Sequence, residues 1–241
     1  MDFLFSSAFW IALGQIIIID ILLGGDNAVV IALACRKLPP AQRKKGIIFG
    51  TIGAIVLRVI LIAFAMTLLN IPFLKFVGAL LLVWIGVKLL APDEEGHGDI
   101  QGSDKLLAAV KTIIVADLVM SVDNVIAIAG AAQNAGDHSL LLVILGLLIS
   151  IPIIVWGSQM VIKLMERYPV IITAGGMLLG WIAGGMLVTD PAVADTDQWK
   201  WMLKLPQTDV VKYGASVAGA LLVLVLGKIA AGRKGAAPAA H

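Results

Sequence analysis

The chain has 241 residues, 60% of them hydrophobic and only 14% charged, with a net charge of +2. Soluble domains carry about a quarter charged residues, so this apolar excess excludes an ordinary soluble domain and predicts an all-α, multi-pass membrane protein. The near-neutral balance gives no basis for a nucleic-acid partner, and a lone cysteine, Cys35, excludes an intrachain disulfide or a thiolate metal cluster.

A span needs about 20 mostly apolar residues, and the sequence offers seven such runs. The first is Ser7–Ala34; the opening "MDFLFSSAFW", which runs into it, has no basic n-region and reads as the start of a span, not a leader. Ile47–Leu69 and Pro72–Leu90 come next. An acidic, glycine-rich stretch, "PDEEGHGDIQGSD" (Pro92–Asp104), then reads as a solvated loop. Leu106–Gln133, Leu140–Met165 and Val170–Val188 form a second set of three. Residues 189–209 make a longer connection whose Trp199 and Trp201 suit an aromatic belt or a helix lying on the membrane surface. Val210–Ala231 is the seventh span, and 232–241 reads as a disordered tail.

Basic residues set orientation. Arg36, Lys37, Arg43, Lys44 and Lys45 follow the first span, and placing them in the cytoplasm puts the N-terminus outside. Lys88, Lys105, Lys163, Arg167, Lys228, Arg233 and Lys234 then fall on the same side. The opposite side holds Lys200, Lys204 and Lys212, and its turn "NAGDH" (134–138) has no Lys or Arg. The loop at 92–104 is therefore cytoplasmic, the connection at 189–209 extracytoplasmic, and the C-terminus inside.

The spans are not uniformly apolar. "DILLGGDNAVVIALA" (Asp20–Ala34) is echoed 97 positions later by "DLVMSVDNVIAIAGA" (Asp117–Ala131). Asp20 aligns with Asp117, Asp26 with Asp123 and Asn27 with Asn124. Such residues are rare within spans, so their recurrence at one spacing marks an internal repeat. Each unit holds three spans, so the second enters the bilayer from the opposite side. This is the inverted-repeat design of secondary transporters, with the site near the midplane. The expected organisation is a first three-helix repeat at 1–91, a second at 105–188 and one extra C-terminal helix at 210–231, all in a single membrane domain that can also form a homo-oligomer.

An ionised Asp at a span centre costs about 2.5–3.5 kcal/mol, so four cost on the order of 10–14 kcal/mol if unpaired. A cation, a proton or a buried base must offset this. Arg58, near the centre of the second span, is the one base at that depth, and it keeps its proton. One arginine against four acids leaves room for a divalent cation or for protons. Six residues at 100° each set Asp20 and Asp26 about 120° apart on a regular helix, while Asn27 returns to the Asp20 face. Both acids of a motif can meet one ion only where the helix is interrupted. Gly24 and Gly25 offer such a place; the second motif has Ser121-Val122 there instead.

The candidate ligands are thus Asp20, Asp26, Asn27, Asp117, Asp123 and Asn124, with Arg58, Gln15, Ser121, Gly24 and Gly25 as accessory positions. This all-oxygen set suits Mn2+, Mg2+ or Ca2+ better than copper or zinc. No resident cofactor is expected; the lipid bilayer and the transported ion are the expected partners.

"LGGDNAVVIALACRKLP" and "SVDNVIAIAG", in this order, resemble the tellurium-resistance TerC family of bacterial integral membrane proteins, and the short form resembles its YjbE-type branch. The resemblance implies metal-ion transport, with manganese efflux the activity assigned to several relatives, and a place in the lysine-exporter superfamily in the bacterial inner membrane. Tellurite resistance, which named the family, is then an indirect effect. The leading expectation is a secondary transporter exporting Mn2+, with protons returning through the same acids. The alternatives are a non-transporting envelope or secretion-complex partner and an amino-acid exporter. An intramembrane aspartyl protease is set aside, because Leu23 stands where the G-x-G-D signature needs glycine.

Overall fold

The computed structural model describes residues 7–64, 71–91, 102–133, 139–193 and 205–235. Most of the acidic loop, the turn at 134–138, Trp199, Trp201 and the last six residues lie outside these. The described residues form eight helices and no strand. They are α1 (Ser7–Leu23), α2 (Gly25–Cys35), α3 (Pro40–Ala63), α4 (Leu74–Leu90), α5 (Gly102–Gln133), α6 (Ser139–Arg167), α7 (Val170–Val188) and α8 (Asp209–Gly235).

Four stretches are long and apolar enough to cross a bilayer: Pro40–Ile62, Leu141–Arg167, Val170–Val188 and Asp209–Gly232. The pair Phe9–Leu22 and Gly25–Cys35, bent by 46° at its break, counts as a fifth. The sequence reading has seven because it also takes in α4 and α5. With 17 residues, α4 is about 26 Å long, just short of a hydrocarbon core of about 30 Å. Helix α5 has 32 residues, and its side chains from 123 onward lie outside the described residues. The distribution of polarity is that of a lipid-solvated protein. Trp10, Leu22, Trp156 and Leu221 are exposed, while Asp20, Arg58, Asp117, Ser121 and Ser150 are buried.

The chain divides into two compact units. The first joins residues 1–69 to 102–163, and so packs α1, α2 and α3 with α5 and most of α6. Helices α3 and α5 run parallel and close. A Cβ added at Gly50 would lie 2.5 Å from Ile113 Cδ1, and one at Gly53 would lie 2.5 Å from Ile114 Cδ1. Helices α1 and α6 also run parallel, with Gly146 receiving Ile16 at 2.5 Å by the same measure. Phe9, Ala12, Leu13, Ile16, Leu142, Val143 and Leu147 fill the space between them. At the α2–α3 corner, Arg43 donates from Nε to Leu38 O and from a terminal nitrogen to Arg36 O, both at 3.0 Å. Arg43, in the first turn of α3, thus satisfies carbonyls just past the end of α2.

The second unit joins residues 70–101 to 164–241, and packs α4, α7 and α8. Its α7–α8 contact is made by backbones. A Cβ on Gly184 would fall 2.0 Å from Ala215 O, and one on Gly180 would fall 2.3 Å from Gly219 O. Only small residues every fourth position permit that approach. Asp190, fully buried, accepts hydrogen bonds from the Phe73, Phe76 and Ala192 amides at 2.9, 3.0 and 2.8 Å. It caps α4 from far along the chain and holds Phe73 at a left-handed φ of 64°.

Candidate functional site

The first unit buries one arginine and two aspartates in its interior. Arg58, on α3, is 2% exposed and reaches two carboxylates. One terminal nitrogen donates to Asp20 Oδ1 on α1 at 2.5 Å, and the other donates to Asp117 Oδ1 on α5. Its Nε donates to Ser121 Oγ at 3.1 Å. Ser121 in turn donates to Asp117 Oδ2 at 3.1 Å, across one turn of α5. The guanidinium fork matches two acids brought together from different helices, which a lysine point charge would not do.

The two acids are not equivalent. Asp117 accepts on both oxygens, whereas Asp20 Oδ2 is buried and accepts no hydrogen bond among the described residues. The Ser150 hydroxyl on α6 stands beside the Asp20 carboxylate and donates to Gly146 O at 3.0 Å. A rotation about its C–O bond would offer that proton to Asp20.

The break between α1 and α2 falls at Gly24. A Cβ there would lie 2.5 Å from Asp20 O, so a side chain would collide with the backbone of the preceding turn. Asp26 begins α2 half-buried, accepts from the Asn27 amide at 2.8 Å, and lies within electrostatic range of Arg58 and Asp117. Asn27 is 3% exposed, and neither atom of its amide group has a partner among the described residues. Two of the positions singled out in the sequence stand on the surface, Gln15 and Gly25. Asp123 and Asn124 belong to α5, which runs unbroken through the second motif; their side chains lie outside the described residues.

Ser150, Thr51 and Ile154 were not singled out from the sequence. Thr51 is 2% exposed with an unpartnered hydroxyl, seven residues before Arg58 on one face of α3. Both hydroxyls were detectable as polar breaks in apolar runs, but serine and threonine are common packing residues in spans. Among the described residues no three acidic, histidine or cysteine side chains converge on one point. The guanidinium occupies the space between the acids.

A model of the TerC family of integral membrane proteins matches residues 5–235. The chain belongs to the TerC family. It is 46% identical over 180 residues to the uncharacterized membrane protein YjbE of Bacillus subtilis, covering 75% of this chain and 80% of that one. It is 27% identical to the uncharacterized membrane protein YceF of the same organism, over 72% of this chain and 69% of YceF. The inner membrane protein YgdQ of Escherichia coli K12 is 29% identical, over 66% of this chain and 73% of YgdQ. No solved structure matches the chain.

Proposed function

We propose that this TerC protein is a secondary transporter that exports a divalent cation, Mn2+ foremost, across the bacterial cytoplasmic membrane, with protons returning through the same acids. The observation that carries this reading is the buried pairing of Arg58 with Asp20 and Asp117. One guanidinium charge faces two bonded carboxylates, with a third acid, Asp26, in electrostatic range. When all are ionised, the cluster holds an excess of negative charge that burial makes costly. A visiting cation or protons remove that excess.

In this mechanism Arg58 stands in for the ion. It bridges the carboxylates when no metal is bound and yields one or both when a cation arrives, keeping its bond to Ser121. Oxygen donors from Asp20, Asp117, Asp26 and Asn27 then form a hard-ligand set suited to Mn2+, and to Mg2+ or Ca2+ less selectively. The turn freed at Gly24 adds carbonyls, as broken helices do in other transporters. The topology that suits this mechanism counts α4 and α5 as spans, giving seven, N-out and C-in, with inverted repeats.

The test is Mn2+ flux into proteoliposomes of purified protein under an imposed pH gradient. Transport by the native chain, abolished in Asp20→Asn/Asp117→Asn without loss of the folded protein, is the expected result. Undiminished flux in that double variant removes the site; no flux in the native chain for any divalent cation removes the function.

A further inference from the structure

The parallel helix pairs of the first unit have matching contacts. Gly50 of α3 receives Ile113 of α5, and Gly146 of α6 receives Ile16 of α1. Ile16 and Ile113 are separated by 97 positions, the spacing of Asp20 and Asp117, and Gly50 and Gly146 are separated by 96. The same shifts carry Ser121 to Gly24 and Arg58 to Ile154. These also correspond in space: Arg58 Nε meets Ser121 Oγ at 3.1 Å, and a Cβ on Gly24 would lie 3.6 Å from Ile154 Cδ1. Two contacts on the α3–α5 side thus recur on the α6–α1 side, in the same order along the helices. At the charged level alone the correspondence fails, with an arginine on one side and a buried isoleucine on the other.

We infer that the acid pair has two equivalent cation seats, one held by Arg58 while no metal is bound and the other, beside Ile154, Ser150 and Gly24 on the Asp20 side, kept for an exchangeable cation. The orphaned oxygen is on the acid whose own neighbours line the second seat. Asp117, whose seat is filled, has both oxygens engaged. Ser150 supplies a hydroxyl oxygen there, as Ser121 does beside Arg58. Ile154 leaves the seat without a fixed charge, so a mobile one can enter. Only the identity of the visitor, a divalent cation, rests on the transport reading above.

Three variants test this: Ile154→Arg, Arg58→Ile, and the exchange Arg58→Ile/Ile154→Arg. The readouts are thermal unfolding and Mn2+ binding by calorimetry, both in detergent. An arginine at 154 should fill the second seat and weaken Mn2+ binding at least a hundredfold in a folded protein. Arg58→Ile should unfold at lower temperature or fail to accumulate. The exchange should recover native thermal stability and return Mn2+ affinity to within tenfold of the native value. Native Mn2+ affinity in Ile154→Arg overturns the second seat. An exchange variant no more stable than Arg58→Ile overturns the equivalence of the two seats. If the native chain binds no divalent cation, the transport reading fails; the stability rescue still decides whether the seats are paired.

Discussion

Replacing Arg58 by methionine keeps most of the side-chain length and removes the charge. It leaves the Asp20 and Asp117 carboxylates facing each other, buried, with the Ser121 and Ser150 hydroxyls as the donors nearby among the described residues. Removing one partner of a buried ion pair costs about 3–5 kcal/mol, because the stranded charge cannot reach water. For a chain of this size each kcal/mol moves the melting temperature by about 2–4 °C, so the loss is roughly 6–20 °C. Mn2+ at about a hundred times its dissociation constant restores about 2.7 kcal/mol, a large part of the deficit. The triple variant Arg58→Met/Asp20→Asn/Asp117→Asn removes the stranded charges as well. Apolar or neutral replacement of a whole buried ionic cluster is often close to neutral, so the triple variant should melt within a few degrees of the native chain and gain nothing from Mn2+. Thermal unfolding in detergent, with and without Mn2+, measures all three proteins. A single variant as stable as the native chain, or a triple variant worse than the single, would show that the cluster is not held by charge.

Four further outcomes follow from the geometry. Gly24→Ala should destabilise by about 1–3 kcal/mol, since its Cβ would meet Asp20 O, whereas Gly25→Ala, with nothing within 4 Å, should be tolerated; melting temperatures separate them. Asn27→Ala removes an amide with no partner among the described residues, so it should leave stability within about 1 kcal/mol of native and lower Mn2+ affinity in calorimetry. Asp190→Ala strands three amides and should cost about 3 kcal/mol, read as faster hydrogen exchange from Phe73 to Val77, with Mn2+ binding unchanged. Gly184→Val pushes a side chain into the Ala215 carbonyl and should fail to fold or lose several degrees of melting temperature, whereas Gly214→Ala should not.

What could be read in the sequence was what polarity makes conspicuous. Asp20, Asp117 and Arg58 are costly in apolar runs, so their burial together follows from the same energetics that marked them. The break at Gly24 was foreshadowed by paired glycines, and the unbroken α5 by their absence from the second motif. What stayed hidden depended on contacts between distant segments. The two compact units each take helices from both halves of the chain, and no local pattern encodes which helix packs on which. Asp190 is one of several aspartates within 189–209, and its role as the cap of α4 needs the fold. Ile154 gains meaning only when the α1–α6 contacts are set against those of α3 and α5.

On the transport reading, the cluster also has to satisfy two opposed demands. A stable fold needs Asp20 and Asp117 neutralised at all times, and a carrier needs them to let go of whatever neutralises them. A resident metal held by three or four acids meets the first demand and fails the second. A tethered guanidinium meets both: it is always present at the site, its attachment to α3 removes the entropy cost of recruiting it, and its delocalised charge is held less tightly by oxygen than a compact divalent ion is. Exchange between the two then needs only a side-chain rotation in place of unfolding. The bond from Arg58 Nε to Ser121 gives that rotation a pivot, because the terminal nitrogens can leave the carboxylates while Nε stays bonded. Ser121→Ala should therefore slow Mn2+ exchange more than it weakens equilibrium binding, a difference that stopped-flow uptake set against calorimetry would detect, and equal effects on both would place Ser121 outside the exchange step.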